Sequence, residues 1–226
     1  MTAQISDEII FNGVQYSIAA KKGGSLFGPR AHGISPVGVT SCCWRGYQCV
    51  YSVQSDRLVL AILTVCHSNI ANARYYSDLT DPPDINSVTA RALDVPQPGE
   101  GPLPMFPHEY RDLGLLVQFS GEILAANSFI MELYLHGGFH PAWKYEKNLE
   151  LKFENGLLTS TRDVSDIFKE FRHTFVTNDE GWPQCTPEDD ARSWLKTVSL
   201  DYAYDGWDPE SDGPIESVAD SAPLDQ

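Results

Sequence analysis

Short hairpin signals recur along the first two thirds of this chain, and they constrain its fold more than any other feature. Asn12-Gly13 separates two apolar runs, and Asn-Gly strongly favours a hairpin turn because both turn residues must adopt positive φ. Three further segments share one format, an apolar strand, a polar turn and a leucine: residues 53–58, 119–124 and 153–158. Their spacing is too uneven for a repeat architecture, so the pattern indicates one antiparallel meander built from hairpins.

Alternating hydrophobicity predicts the strands of this meander. Residues 47–53 alternate with a period of two, and residues 58–65 are apolar on both faces, which is typical of a central strand. Residues 115–119 and 149–153 read as strands as well. Phe129, Met131, Leu133 and Leu135 alternate in the same way and predict another strand.

A single amphipathic helix is expected after the last hairpin. Its apolar stripe has the helical spacing i, i+3, i+4, i+7 and i+11, and Asp163 precedes it as an N-cap. The stripe consists of Val164, Ile167, Phe168, Phe171 and Phe175. The sequence thus predicts a β-rich α+β fold, with an antiparallel meander sheet or partly closed barrel and one or two flanking helices.

Composition divides the chain into three parts. Residues 1–175 are predicted to form the β-rich globular domain, with an irregular proline-rich insertion at 78–107 that contains seven prolines. Residues 176–207 are predicted to form an acidic helical segment that docks on the domain. Residues 208–226 contain no aromatic residue and are expected to be a disordered acidic tail.

Negative charge is concentrated at the C-terminal end. Residues 174–226 contain 13 Asp or Glu and two basic residues, a net charge of −11 out of −15 for the whole chain. Such a chain is not expected to bind nucleic acid or an anionic membrane, because phosphate recognition needs clustered Lys and Arg. A cationic protein is the partner that this charge favours. We find no signal peptide and no apolar stretch long enough to span a bilayer, and the five cysteines are an odd number, so a cytoplasmic protein with reduced thiols is expected.

The acidic segment supplies the predicted partner-binding residues. A helix start is predicted at residues 186–190, with acidic residues in its first turn, and residues 201–208 mix carboxylates with aromatic rings. The residues predicted to contact the partner are Glu188, Asp189, Asp190, Asp201, Tyr204, Asp205, Trp207 and Asp208. A segment that instead packs its Tyr and Trp on its own sheet would explain the same pattern.

A ligand site in the domain is the alternative. No common catalytic motif is present, and no cofactor or catalytic residue is predicted. Arg45, His136 and His140 at the mouth of the sheet could bind a small molecule, with the proline-rich insertion as a lid. His136 and His140 are spaced by four residues around two glycines, which favours a turn over a metal site.

Residues 42–47, Cys-Cys-Trp-Arg-Gly-Tyr, are the most distinctive short segment. Arg45 between aromatic residues could clamp a carboxylate or phosphate or stack on a ring. The favoured interpretation is a strand entry at which Trp44 and Tyr47 pack in the core and Gly46 forms a bulge. Cys66 and His67 are adjacent, so on a strand they would point to opposite faces, and a thiolate–imidazole pair is not expected.

Three segments carry a resemblance to a family of small uncharacterised bacterial proteins. They are residues 43–47 (CWRGY), 119–124 (FSGEIL) and 145–156 (YEKNLELKFENG). The resemblance covers roughly residues 8–160 and implies no catalytic residue. The size, charge and absent motifs are also similar in type to those of toxin-immunity proteins. The hypotheses are therefore an inhibitor of a cationic toxin or effector, a small-molecule-binding protein or enzyme, and a subunit that assembles through its sheet edges.

Overall fold

The computed structural model describes residues 2–93, 104–134, 136, 138–174, 176–177 and 183–184. Its strands are β1 Glu8–Phe11, β2 Val14–Gly23, β3 Tyr47–Gln54, β4 Arg57–Val65, β5 Arg91–Ala92, β6 His108–Tyr110, β7 Leu115–Leu116, β8 Gly121–Phe129, β9 Tyr145–Glu154, β10 Leu157–Asp163, β11 Val176–Thr177 and β12 Pro183–Gln184. One α-helix, α1, spans Ser165–Thr174, and short 3-10 turns cover Pro29–His32, Tyr76–Asp78, Met131–Leu133 and Ala142–Lys144.

Ten strands form one mixed sheet, and β11 pairs with β12 separately. The order along the sheet is β10-β9-β8-β2-β1-β3-β4-β6-β5, and β7 pairs with β4. In addition, β10 pairs with β4 through Leu157 and Arg57. The β-rich α+β class is confirmed. The sheet is not wholly antiparallel, because β1 lies parallel to β3.

Three of the predicted hairpin turns have the expected backbone. Their central residues are Asn12-Gly13, Ser55-Asp56 and Asn155-Gly156, with φ between 47° and 76°. Left-handed φ at both central positions matches the twist of the flanking strands. Gly156 is also fixed by a close approach, since a Cβ there would lie 2.3 Å from the Val117 carbonyl oxygen.

The predicted hairpin at residues 119–124 is wrong. Strand β7 ends before this segment and pairs with β4, whereas β8 pairs with β2 and β9. Gly121 lies opposite Gly23 in the β8–β2 register, and a Cβ at Gly121 would lie 2.1 Å from the Lys22 carbonyl oxygen. The glycine therefore permits close packing of two strands that are distant in sequence.

The predicted strand over residues 129–135 is also wrong. Strand β8 runs without interruption to Phe129, and the 3-10 turn Met131–Leu133 follows it. The N–H of Ile130 donates to the carbonyl of Lys144 at 2.9 Å, and the N–H of Leu133 donates back to Ile130 at 3.0 Å. Phe129 thus ends β8, Met131 and Leu133 lie on a turn that folds back towards the start of β9, and Leu135 lies outside the described residues.

The sheet has a buried cluster on each side. The larger one includes Tyr51, Leu60, Phe119 and Phe153 and encloses most of the large apolar side chains of β1, β3, β4, β8 and β9. The second cluster lies under α1, whose Phe168 and Phe171 are buried together with Val164 just before the helix, as the apolar stripe predicts. Its sheet side includes Ala19, Ala20 and Ala126, which leave room for the helix. The carboxylate of Asp163 accepts the N–H of Ser165 at 2.9 Å, in agreement with its predicted capping role.

The described part of the proline-rich insertion is largely irregular but anchored. The Tyr110 hydroxyl donates to the Pro83 carbonyl at 2.5 Å, and the Asn86 side-chain amide donates to the Leu113 carbonyl at 2.6 Å. Strand β5 forms one edge of the sheet and is only two residues long, so it presents few unpaired backbone groups for pairing with another molecule. Across the described ranges, no helix has the length and apolar character that crossing a membrane requires.

Candidate functional site

The predicted partner-binding residues lie outside the described residues. These are Glu188, Asp189, Asp190, Asp201, Tyr204, Asp205, Trp207 and Asp208. The predicted helix over 186–198 and the predicted tail over 208–226 lie there too, and so does Cys185. Their roles stay predictions. The candidate sites that follow consist of residues of the described domain.

The Arg45 side chain is buried and forms an ion pair within the protein. Its Nη1 and Nη2 donate to both oxygens of the Asp7 carboxylate, at 3.0 and 2.5 Å, and both side chains are 6% exposed. Asp7 also accepts the N–H of Cys49 at 2.7 Å, and the Arg45 guanidinium carbon lies 4.7 Å from the centroid of the Tyr47 ring. This bidentate pair connects the N-terminal segment to β3, so Arg45 stabilises the fold. Arg45 is therefore not part of the predicted ligand site.

The two histidines of the alternative site come together in an aromatic cluster. We call Phe129, Tyr134, His136, His140 and Tyr145 the ring cluster. The His140 ring lies 4.7 Å from Phe129 and 5.1 Å from Tyr134, and Tyr134 lies 4.9 Å from His136. His136 and Tyr134 are exposed, so the ring cluster reaches the surface on that side.

His140 is held in an unfavourable position for a polar ring. Both ring nitrogens are buried, and neither has a hydrogen-bond partner within the described part of the chain. Burial, together with the nearby charge of Lys144, lowers the pKa of His140 to about 4. The imidazole is therefore neutral at pH 7 and retains one N–H donor and one acceptor nitrogen.

Lys144 is the functional candidate that sequence reasoning missed. It closes the 3-10 turn before β9, with its N–H donating to the Pro141 carbonyl at 3.0 Å, and the residue is only 2% exposed. Its ammonium nitrogen lies 5.3 Å from the centroid of the Trp143 ring. None of the ion pairs among the described residues includes Lys144. Burial lowers the pKa of Lys144 to about 8, so it is mostly charged at pH 7 with no ion-pair partner among the described residues.

Lys144 gave little signal in the sequence. It stands between Trp143 and Tyr145 at the start of a strand in which the charged residues Glu146, Lys147 and Glu150 also occur. The alternation of apolar and polar residues in β9 does not identify Lys144 as buried. Lys144 lies in the 3-10 turn just before the strand, where the two-residue periodicity does not apply. Only the tertiary contacts of the ring cluster and α1 place this lysine inside.

The described cysteines are reduced, and the environment of two of them makes their thiols poor nucleophiles. Cys42, Cys43, Cys49 and Cys66 form no disulfide. Burial raises the pKa of Cys43, and it raises the pKa of Cys66 to about 12. His67 instead accepts the N–H of Ser35 at 2.9 Å. The described ranges also contain no group of three or more His, Cys, Asp or Glu that could hold a metal ion.

Trp44 is exposed, which corrects its predicted place in the core. It is 65% exposed, whereas Tyr47 is 3% exposed as expected. Gly46 adopts φ of +76° and packs against the backbone of Val37, and a Cβ at Gly38 would lie 2.2 Å from the Trp44 carbonyl oxygen. These close contacts fix the loop so that the Trp44 indole points outward.

Three further exposed apolar residues lie at the same end of the sheet. They are Ile70, Tyr75 and Met105, and together with Trp44 we call them the loop patch. Tyr47 pairs with Val65 and Val65 pairs with His108, so the loops before β3, after β4 and before β6 meet at one end. The sulfurs of Cys42 and Met105 are 4.0 Å apart, and the Tyr76 hydroxyl donates to the Pro104 carbonyl at 3.0 Å.

Asp78 orders the part of the loop patch that follows β4. Its carboxylate accepts the N–H groups of Arg74 and Tyr75, both at 3.0 Å, and these bonds lower the pKa of Asp78. The Ser68 hydroxyl donates to the Asp78 carbonyl at 2.5 Å. The loop thus presents Tyr75 from a fixed backbone, which reduces the entropy lost on binding.

Comparison with known proteins finds no relative of this chain. No protein-family model matches the chain, and no curated protein or solved structure matches it. The candidate sites therefore depend on the geometry alone.

Proposed function

We propose that the protein is a non-enzymatic binding protein of the bacterial cytoplasm that inhibits a toxin or other effector by covering a cationic surface of it. The observation that carries the proposal is the loop patch. Large apolar side chains that are exposed together on ordered loops are typical of protein-binding surfaces, and Trp, Tyr and Met are enriched in interface cores. Trp44 and Tyr75 would be the anchors, at 65% and 70% exposure.

Charge supports a basic partner. The chain carries a net charge of −15, and residues 174–226 contribute −11 of it. Complementary charge raises association rates and suppresses binding of acidic proteins. In this proposal the loop patch supplies buried contact area, and the acidic C-terminal residues supply long-range attraction. The free thiols of the described domain agree with a reducing compartment.

The test is a pull-down from the native host with the full chain, read by mass spectrometry at low and high salt. The variant is Trp44→Ser/Tyr75→Ser. The matched control is Leu116→Ser/Leu157→Ser, since these leucines are 52% and 43% exposed near the opposite end of β4. We expect a basic protein that the wild type and the control retain, that the patch variant loses, and that high salt weakens. Equal loss from both variants would argue against the loop patch as the interface.

The charge contribution is tested separately once the partner is in hand. Reversing Asp189, Asp190, Asp205 and Asp208 together to Lys should slow association by about tenfold at low salt and flatten its salt dependence. Stopped-flow or surface-based kinetics measures both quantities. An unchanged association rate would remove the acidic segment from the proposal but leave the loop patch.

A further inference from the structure

A second candidate site, separate from the loop patch, contains the two histidines of the alternative ligand site. The alternative ligand site of the sequence analysis consisted of Arg45, His136 and His140, and the structure removes Arg45 from it through Asp7. Lys144 supplies the missing positive charge. We propose that Lys144 and His140 form a binding site for a small organic carboxylate whose apolar part packs against the ring cluster.

Two buried groups at this position lack the partners that such groups normally have. Both ring nitrogens of His140 are buried and have no hydrogen-bond partner within the described ranges. Lys144, four residues later, is only 2% exposed and takes part in none of the ion pairs among the described residues. Buried polar groups of folded proteins are almost always hydrogen-bonded, so an unpaired imidazole close to a lysine without an ion pair indicates a missing anionic acceptor.

The charges around the site select an anion. Arg172 of α1 donates to the carbonyls of Trp143 and Tyr145, at 2.9 and 2.8 Å, and adds a second cation on the helix side. Two acids act on neighbouring groups: burial raises the pKa of Tyr145 and the charge of Glu8 adds to that, whereas burial lowers the pKa of Arg172 and the charge of Glu146 opposes that shift. Neither of these acids forms an ion pair with Lys144 among the described residues.

The number and type of donors favour a carboxylate over a phosphate. The two groups that would contact the anion, the Lys144 ammonium and the neutral His140 imidazole, supply one positive charge and two donor groups, which matches a monovalent anion, while Arg172 adds positive charge from the helix side. A phosphate monoester carries close to two negative charges at pH 7 and would usually meet arginines or a row of backbone N–H groups. Arg172 uses its Nη1 on two carbonyls, as described above.

Aromatic walls favour an organic ligand. Phe129 lies 4.7 Å from His140 and 5.1 Å from Tyr145, and Trp143 lies beneath Lys144. Ligand pockets are mostly apolar with a few placed polar groups, and this site has that composition. Tyr134 and His136 are exposed, so the ligand would enter past these two rings.

The test uses the full chain and benzoate as the probe, with benzamide as its neutral counterpart and inorganic phosphate as the competing anion. NMR titration and isothermal calorimetry measure binding. We expect saturable binding of benzoate, at least tenfold weaker binding of benzamide and phosphate, and a tenfold or greater loss of benzoate affinity in Lys144→Met. Lys147→Met is the matched control, because Lys147 lies three residues further along and its side chain is 63% exposed. It should bind benzoate within twofold of the wild type.

A proton measurement separates direct pairing from a structural effect of the substitution. A carboxylate beside Lys144 stabilises its charged form, so binding at pH 8 should take up about half a proton per benzoate in the wild type. Calorimetry in two buffers of different ionisation enthalpy gives this number. His140→Phe keeps the ring packing and should weaken binding while retaining the proton uptake. Absence of benzoate binding by the folded wild type, equal affinity for benzamide, or equal loss in Lys147→Met would overturn the proposal.

Discussion

Arg45 and Lys144 are both buried cations, and the comparison between them separates structure from function in this molecule. Arg45 has a bidentate carboxylate partner in Asp7 and a ring contact with Tyr47. Lys144 has the Trp143 ring but forms no ion pair among the described residues. A compensated buried charge fixes geometry, whereas an uncompensated one lowers stability.

Whether a buried cation has an ion-pair partner is therefore a useful criterion for ranking it as a site candidate. In the sequence, Arg45 belonged to the alternative ligand site because it stands in an unusual segment, although a structural role was the favoured interpretation of that segment. In the structure, its guanidinium is bonded to Asp7 and does not face a ligand. A buried charge that lowers the stability of the fold is a better candidate for binding or catalysis, because functional sites commonly reduce stability.

The largest effect is expected from breaking the Asp7–Arg45 pair. Arg45→Met leaves the Asp7 carboxylate buried without its counterion, and removing one member of a buried pair costs about 3–5 kcal/mol in the free energy of unfolding. Urea unfolding measures it. The matched control is Arg162→Met, which breaks a bidentate pair with Glu150 at the surface and should cost less than about 1 kcal/mol. Similar losses for both substitutions would mean that burial adds nothing to the Asp7–Arg45 pair.

Lys144→Met should have the opposite sign. The pKa of Lys144 is lowered from 10.5 to about 8, so the unfolded chain binds the proton more tightly between these pH values. The penalty is complete below pH 8 and is lost as the pH rises to 10.5. At pH 7 we therefore expect the variant to be more stable by about 2–3 kcal/mol, with the gain disappearing near pH 10.5. Urea unfolding at pH 7 and at pH 10 tests this, and a destabilised variant at pH 7 would contradict the account of Lys144 as an uncompensated charge.

His140 gives a smaller effect on the acid side. Its pKa is lowered from 6.5 to about 4, so stability is full above pH 6.5 and falls as the pH drops towards 4. Because the ring is only half-buried, we expect a loss of about 1–2 kcal/mol over this range. His140→Phe should remove that part of the pH dependence. His136→Phe, at the exposed end of the ring cluster, is the matched control, and an equal loss of the acid slope in both variants would contradict the assignment of that slope to His140.

Local signals in the sequence predicted local structure well. The Asn12-Gly13 and Asn155-Gly156 turns follow from residues that tolerate positive φ, and α1 follows from an apolar stripe that needs a covering face. Strand neighbours could not be read in the same way. The pairing of β8 with β2 joins segments about a hundred residues apart, and no local pattern encodes such a contact.

The site was less predictable than the fold. His140 was identified from its spacing with His136, but the spacing said nothing of the rings that surround it. Residues 129–135 alternate like a strand, but Met131–Leu133 form a turn, because the Ile130 N–H bonds to the Lys144 carbonyl and redirects the chain. That same contact positions Lys144, so the error in the strand prediction and the missed lysine have one cause.

The smallest effect is expected at the loop patch, and it sharpens the contrast between residues that hold the fold and residues that serve binding. Trp44 is 65% exposed, so Trp44→Ser should change the free energy of unfolding by less than about 0.5 kcal/mol. Tyr47→Ala, three residues later and 3% exposed, should cost about 3–5 kcal/mol. Thermal or urea unfolding of the two variants tests this. If Trp44→Ser unfolded the domain, its loss of a partner could not be attributed to the interface. Unchanged stability would mean that the indole contributes little to the fold, so that a loss of partner binding in the same variant could be assigned to the proposed interface.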